Sequence, residues 1–320
     1  MSNSKTKIGL GLAALGRPEY INIRDNDAID KSEKYFKENS LSVLDEAYNL
    51  GVRYFDTAPS YGKGEAFLQE WNVKRNHKDA ILGTKWGYTY VANWELGFTG
   101  KHEVKEHSLE KLLEQWQVSK ALLPNLKYYQ VHSATFDSGI LENEAVLLQL
   151  HQIKNKTGLK IGITTSGANQ KEVIASALKI QIENEDIFDS FQVTYNVFEQ
   201  DTFAILKSAL SNGKEVIIKE ALANGRVFPN EKFKNYKNAY QILNRLSKKY
   251  DVGIDAIALR FVMDSLQPTY ALSGASTIAQ LRDNLKVMRF KLLKEELDEL
   301  KELSIASELY WKERSRLSWN

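Results

Sequence analysis

SLSVLDEAYNLGVRYFDT, residues 40–57, reads as a helix, a stop and a strand in immediate succession. Leu41, Leu44, Ala47 and Tyr48 recur at three- and four-residue steps and share one helical face, with Ser40 placed to cap the N-terminus. Gly51 ends the helix, because glycine tolerates the left-handed backbone that closes a last turn. The apolar run Val52–Phe55 follows at once. The same order recurs downstream. A helix over 141–156 ends near Gly158 and passes into Leu159–Ile163, and a helix over 201–211 ends at Asn212-Gly213 and passes into Val216–Ile218. Repeated αβ connections imply parallel strands with helical crossovers, since no tight turn can reach a parallel neighbour.

Eight such runs are expected as strands: Ile8–Ala13, Val52–Thr57, Ala80–Lys85, Tyr128–His132, Leu159–Thr164, Phe191–Tyr195, Glu215–Lys219 and Thr269–Ser273. Eight parallel strands can close into an α/β (β/α)8 TIM barrel, which removes every exposed sheet edge. Strand number alone also admits an open doubly wound sheet. No Pro/Ser-rich linker interrupts the series, so residues 1–320 are expected to form a single domain with long loops. An extra C-terminal helix is expected from Leu292 to about Ser304. The remainder, with Trp311 and Trp319, is expected to pack over a barrel end.

Composition narrows the function classes. The 43% hydrophobic residues suffice for a full core. A formal charge of +2 from 43 basic and 41 acidic side chains leaves no electrostatic footprint for nucleic acid or an anionic membrane. The absence of cysteine excludes disulfides, thiolate catalysis and cysteine-held metals. The first residues lead into no apolar leader, and no stretch is long enough to span a bilayer. A soluble, cytoplasmic protein with no bound metal and no obligate protein partner is the expectation.

The strand runs turn polar at their C-terminal ends: Asp56, Lys85 and His132 end the second, third and fourth. Thr164 and Thr165 end the fifth, Lys219 and Glu220 the seventh, and Ser273 the eighth. Barrel enzymes carry their chemistry on this face, where side chains from different strands converge. Unpaired burial of such groups costs several kcal/mol each, so they are expected to meet. Gly9-Leu10-Gly11 with Ala14 imitates a dinucleotide fingerprint, but Gly16-Arg17-Pro18 follows where the required helix would open. The Rossmann reading is therefore rejected.

The segment Tyr54-Phe55-Asp56-Thr57-Ala58-Pro59-Ser60-Tyr61-Gly62 resembles the F-D-T-A-x-x-Y-G signature of the aldo-keto reductase family. The resemblance continues at Gly83-Thr84-Lys85, at Gln130-Val131-His132-Ser133 and at Gly274-Ala275-Ser276 with Gln280, Leu281 and Asn284. It implies a (β/α)8 barrel that reduces an aldehyde or ketone with a nicotinamide cofactor. Carried over, it makes Tyr61 the proton donor, Lys85 its charged neighbour that lowers the phenol pKa, Asp56 the partner of Lys85, and His132 the group that orients the carbonyl. It also implies a cofactor site over Gly11, Thr164, Thr165, Gln192, Lys219, Ala221, Leu222, Asn224, Gly225, Ser273, Gly274, Ser276, Gln280 and Asn284. NADP(H) is favoured and NAD(H) is admitted, because the usual phosphate-binding cations near the eighth strand read Gly274 and Gln280, with Arg282 the nearest replacement.

Other departures from the family pattern bear on the cofactor. Thr164-Thr165 stands where the family has Ser-Asn, and Lys219 where an aromatic ring stacks on the nicotinamide, with Glu220 placed to pair with it. Trp86, Tyr88, Tyr90, Trp94 and Phe98 fit an extended strip over the mouth. Trp86, Tyr88 and Trp94 are the expected substrate contacts, and packing of the loop on the barrel is the alternative. Tyr20 and the loop 17–38 are expected to flank the opposite side, and His77, His102, His107 and His151 to lie on the surface. Three rival readings stand beside carbonyl reduction. They are a Schiff-base aldolase using Lys85 or Lys219, an NAD-linked sugar or alcohol dehydrogenase, and a non-catalytic redox-sensing module.

Overall fold

In α1 (Glu33–Asn49), Phe36, Ser40, Val43, Leu44 and Ala47 make one buried stripe that seats the helix against the sheet. Its N-cap is Ser32, whose side chain accepts from the Tyr35 amide. Ser40, expected as the cap, lies mid-helix and donates to the Leu15 carbonyl at 2.8 Å, because the amphipathic period extends two turns further upstream than the four residues first read. A computed structural model of the protein describes residues 6–21, 23 and 30–319. Residues 22 and 24–29 of the loop 17–38 therefore lie outside it.

All eight expected strands form: β1 (Lys7–Gly11), β2 (Tyr54–Asp56), β3 (Ile81–Trp86), β4 (Leu126–Ala134), β5 (Lys160–Thr165), β6 (Ser190–Thr194), β7 (Glu215–Lys219) and β8 (Tyr270–Ser273). Each pairs in parallel with its sequence neighbours, and β1 pairs with both β2 and β8. The sheet is a closed barrel, not an open one, so the doubly wound alternative falls. Helices α2 (Gly64–Arg75), α3 (Leu109–Ser119), α4 (Glu144–Thr157), α5 (Gln170–Ala177), α6 (Phe203–Ser211), α7 (Lys237–Tyr250), α8 (Ile254–Ser265) and α9 (Ile278–Leu285) complete the ring. The C-terminal region forms two helices, α10 (Lys294–Lys301) and α11 (Ser307–Arg314), where one was expected. No helix among the described residues is long and apolar enough to cross a membrane.

Strand alternation divides the core in two. Phe55, Leu82, Val131, Ile163 and Val193 face the helices and join the main core. Burying each such side chain stabilises the fold by roughly 1.5–3 kcal/mol relative to exposure. Inside the barrel, Tyr54, Tyr128, Ile217, Tyr270 and Leu272 form a separate cluster. The Tyr54 ring stacks on Tyr270 at 4.4 Å. Two glycines make room for it. A Cβ on Gly9 would lie 2.7 Å from a ring carbon of Tyr54, and one on Gly83 2.5 Å from its hydroxyl. Gly9, met first in a false nucleotide motif, is thus a clearance residue for a neighbouring tyrosine.

Candidate active site

The C-terminal ends of β2, β3 and β4 bring Asp56, Lys85 and His132 to one end of a cavity of about 700 Å³. Lys85 and Asp56 are almost wholly buried, at 1% and 2% side-chain exposure, and form an ion pair through Asp56 Oδ2. The ammonium also donates to the Thr57 carbonyl at 2.9 Å. Asp56 Oδ1 accepts from the Tyr54 hydroxyl at 2.9 Å and from the Gln192 amide at 2.8 Å, with the Gln130 amide at 3.4 Å. Both oxygens of this buried carboxylate therefore have hydrogen-bond donors, as burial of a charge requires.

Tyr61 stands in the loop after β2. Lys85 Nζ lies 4.8 Å from its ring centre, and the His132 ring meets it edge-on at 5.6 Å. Both Tyr61 and His132 line the cavity. The phenol departs from expectation. Burial, then the Asp56 charge, push its pKa well above the usual value, and Arg17 opposes them. The cost of desolvating a phenolate, with the Asp56 charge beside it, decides the direction. Tyr61 is thus held in its protonated form. Burial, followed by the positive charges of Lys85 and Lys219, holds the His132 pKa well below normal, which keeps the ring neutral. Its Nδ1 lies 3.4 Å from Ser60 Oγ. With Ser60 donating to Nδ1, the Nε2–H would be free to donate.

The same cavity is lined by Gly11, Thr164, Gln192, Lys219, Ala221, Leu222, Asn224, Gly225, Ser273, Gly274, Ser276, Gln280 and Asn284. Thr165 does not reach it. Its side chain is buried on the other side of β5 with an unpartnered hydroxyl, because successive strand residues cannot both face the axis. Thr164 Oγ1 instead accepts the Ser133 amide at 2.6 Å, and Ser166 lines the cavity in place of Thr165. Lys219 does not take Glu220 as its hydrogen-bond partner either. It donates to Thr194 Oγ1 at 2.8 Å, while Glu220 pairs with Arg314 of α11 at 2.9 Å.

Those charges predict an acid response. Burial alone would raise the Glu220 pKa, but Arg314 and then Lys219 outweigh it and hold it at about 2, against 4.5 for the free side chain. Below 4.5 the unfolded chain takes up a proton that the folded carboxylate refuses until about 2. The pair's stabilisation is complete above the first value and is lost as pH falls through the second. Arg314→Met is expected to lower Tm at neutral pH and to flatten its fall between these two values. A wild-type pH profile of Tm in the variant would rule this out.

Of the three aromatic residues expected against substrate, Tyr88 alone lines the cavity. Trp86 follows Lys85 on β3, faces the opposite side and is fully buried in the core. Trp94 donates its indole N–H to the Lys31 carbonyl at 2.8 Å and packs edge-on against Phe36, which ties the long loop to α1. This second reading of the aromatic loop, as packing, describes both. The histidines also differ from expectation. His102, His107 and His151 are buried and His77 is half-buried. His107 Nε2 donates to the His132 carbonyl at 2.9 Å and supports the strand end.

Sequence reasoning missed Arg17, Glu103, Ser166 and Arg314 in the cavity wall. The buried Arg17 donates to Glu103 at 2.6 Å and to the Ser60 carbonyl at 3.1 Å, and its guanidinium lies 4.8 Å from the ring centres of Tyr20 and Trp319. Trp319 stacks on His102 at 4.2 Å and closes the rim. These contacts join residues up to three hundred positions apart, and no local period announces them.

Two features fit a nucleotide along this cavity. Among the described residues, Asn224 Oδ1 is buried there without a hydrogen-bond partner, and the space beside Gly274 is open. The chain is similar to an uncharacterized oxidoreductase, YqkF, of Bacillus subtilis (strain 168). Identity is 23% over 271 residues, covering 81% of this chain and 85% of that one. It is 24% identical over 290 residues to norsolorinic acid reductase stcV of Emericella nidulans, covering 83% and 72%. Among solved structures, aldo-keto reductase AKR11C1 from Bacillus halodurans in its holo form superposes with TM-score 0.70 at 21% identity, over 94% and 93% of the two chains. Glycerol dehydrogenase AKR11B4 from Gluconobacter oxydans gives 0.69 at 20% identity, over 95% of each. At those identities the superpositions establish the barrel. The family model for the aldo/keto reductases matches residues 7–305. With that match across nearly the whole barrel, the chain belongs to the aldo/keto reductase family, whose members are nicotinamide-dependent oxidoreductases of carbonyl groups.

Proposed function

We propose that this protein reduces an aldehyde or ketone to an alcohol, with Tyr61 as proton donor and Lys85, Asp56 and His132 in support. The observation that carries the reading is the Tyr61 phenol and the His132 ring side by side in the cavity wall, with the buried Lys85–Asp56 pair against Tyr61. When bound, the nicotinamide supplies the hydride. Reduction places negative charge on the carbonyl oxygen, and a donor already aimed there stabilises it without reorganising. His132 donates a hydrogen bond to that oxygen and Tyr61 gives up its proton to it. The phenolate left behind is stabilised by Lys85, which Asp56 holds in place.

Ser133, Thr164 and Gln192 would hold the carboxamide of the cofactor. The Gln192 NH2 is spent on Asp56, which leaves its carbonyl oxygen for an amide donor. Lys219, Ala221, Leu222, Asn224 and Gly225 would follow the pyrophosphate. Gly11, Ser273, Gly274, Ser276, Gln280 and Asn284 would enclose the nucleotide beyond it. NADP(H) is the preferred cofactor. Arg282 of α9 pairs with Glu46 in an exposed contact of about 0–1 kcal/mol, which it can exchange for a 2′-phosphate. Fluorescence titration is expected to give tighter binding for NADPH than for NADH, with the difference reduced in Arg282→Ala. Turnover is expected within a panel of aldehydes, quinones and keto-sugars. Tight NADPH binding with no turnover across the panel would sink the reductase reading.

A further inference from the structure

Asp56 divides its carboxylate between two tasks. Oδ2 holds Lys85, while Oδ1 faces the barrel interior and accepts from the Tyr54 hydroxyl at 2.9 Å and the Gln192 amide at 2.8 Å. Tyr54 precedes Asp56 by two residues on β2, so both side chains leave the same face of the strand. Its ring is fully buried, stacked on Tyr270, in a slot that exists only because positions 9 and 83 are glycine. Packing alone would be served by phenylalanine. Among the described residues, the hydroxyl's one hydrogen-bond partner is Asp56.

We propose that Tyr54 is a positioning residue for the reaction: its buried hydroxyl fixes the orientation of the Asp56 carboxylate, so that Oδ2 stays on Lys85. The proposal rests on the roles given above to Asp56, Lys85 and Tyr61. Burial, followed by the Asp56 charge, raises the Tyr54 pKa far above neutrality, so the hydroxyl remains a donor at any working pH. Gln192 donates to the same oxygen but also lines the cavity, so its hold is shared with whatever occupies the site. Tyr54 has no such second duty.

The test is a cycle of Tyr54→Phe and Asp56→Asn, measured with NADPH and an aldehyde that the wild type turns over. The phenylalanine keeps the ring in its slot, so the fold is retained. Its kcat is expected to fall about tenfold, the scale of one hydrogen bond to a charged group. The carbonyl KM and the NADPH Kd should stay at wild-type values. On the Asp56→Asn background, the same substitution should cost nothing further. A wild-type kcat in Tyr54→Phe, a loss that falls on KM instead of kcat, or an equal loss on both backgrounds, would overturn the proposal. Wild-type turnover in Asp56→Asn itself would overturn the catalytic reading beneath it, so the two failures are told apart.

Discussion

Tyr61→Phe is expected to lose ~10²–10⁴-fold in kcat, the usual loss for a general acid, while NADPH binds as before. The substitution removes one hydroxyl and keeps the ring between Lys85 Nζ at 4.8 Å and the His132 ring at 5.6 Å, so the cavity retains its shape. Loss of turnover with unchanged cofactor affinity would place the hydroxyl in the chemical step. The raised phenol pKa adds a pH signature. With Tyr61 protonated throughout the neutral range, reduction should show no basic fall-off near pH 7 that belongs to this group. Stopped-flow fluorescence and a steady-state pH profile measure both. Full turnover in the variant would remove Tyr61 from the mechanism.

Lys85→Met should be the most damaging single change to stability. The pair is buried to within 2% of complete, and removing the ammonium leaves the Asp56 carboxylate without its cation. Breaking such a pair costs ~3–5 kcal/mol, which for a chain of this size corresponds to roughly 4–8 °C in Tm. Turnover should vanish with it. Asp56→Asn added to Lys85→Met removes the stranded charge and should recover part of the lost Tm without recovering activity. That split separates a structural from a chemical contribution, because neutralising both partners relieves desolvation and leaves the phenol without a charged neighbour. A double variant no more stable than Lys85→Met would show that the carboxylate is not stranded.

The site was legible wherever chemistry coincides with a strand end. Asp56, Lys85 and His132 each close an apolar run, and closure of the barrel brings those ends together. Single-residue alternation was the first point at which reading failed. Thr165 and Trp86 each follow a cavity-side residue and so face the other way, which a count of strand-end polar or aromatic residues does not register. Contacts across large sequence separations were the second. Arg314 reaches Glu220 from the C-terminal helix, and Arg17 reaches Glu103 and Trp319 from the first loop. The histidines failed for a third reason: a polar side chain on a loop looks exposed until its partners are known.

From the amino-acid order alone came the eight strands, the parallel sheet and the three strand-end groups, because hydrophobic period and glycine stops act within a few residues of one another. The resemblance added Tyr61 and the kind of reaction. Closure of the sheet, the inward ring of Tyr54 and the charge balance around the phenol belong to the tertiary structure. Each depends on groups that meet only after folding: Gly9 and Gly83 clear a slot for a tyrosine of the strand between them, and burial with the Asp56 charge raises the Tyr61 pKa against Arg17. A pKa is set by burial and neighbouring charge, and neither exists along an unfolded chain.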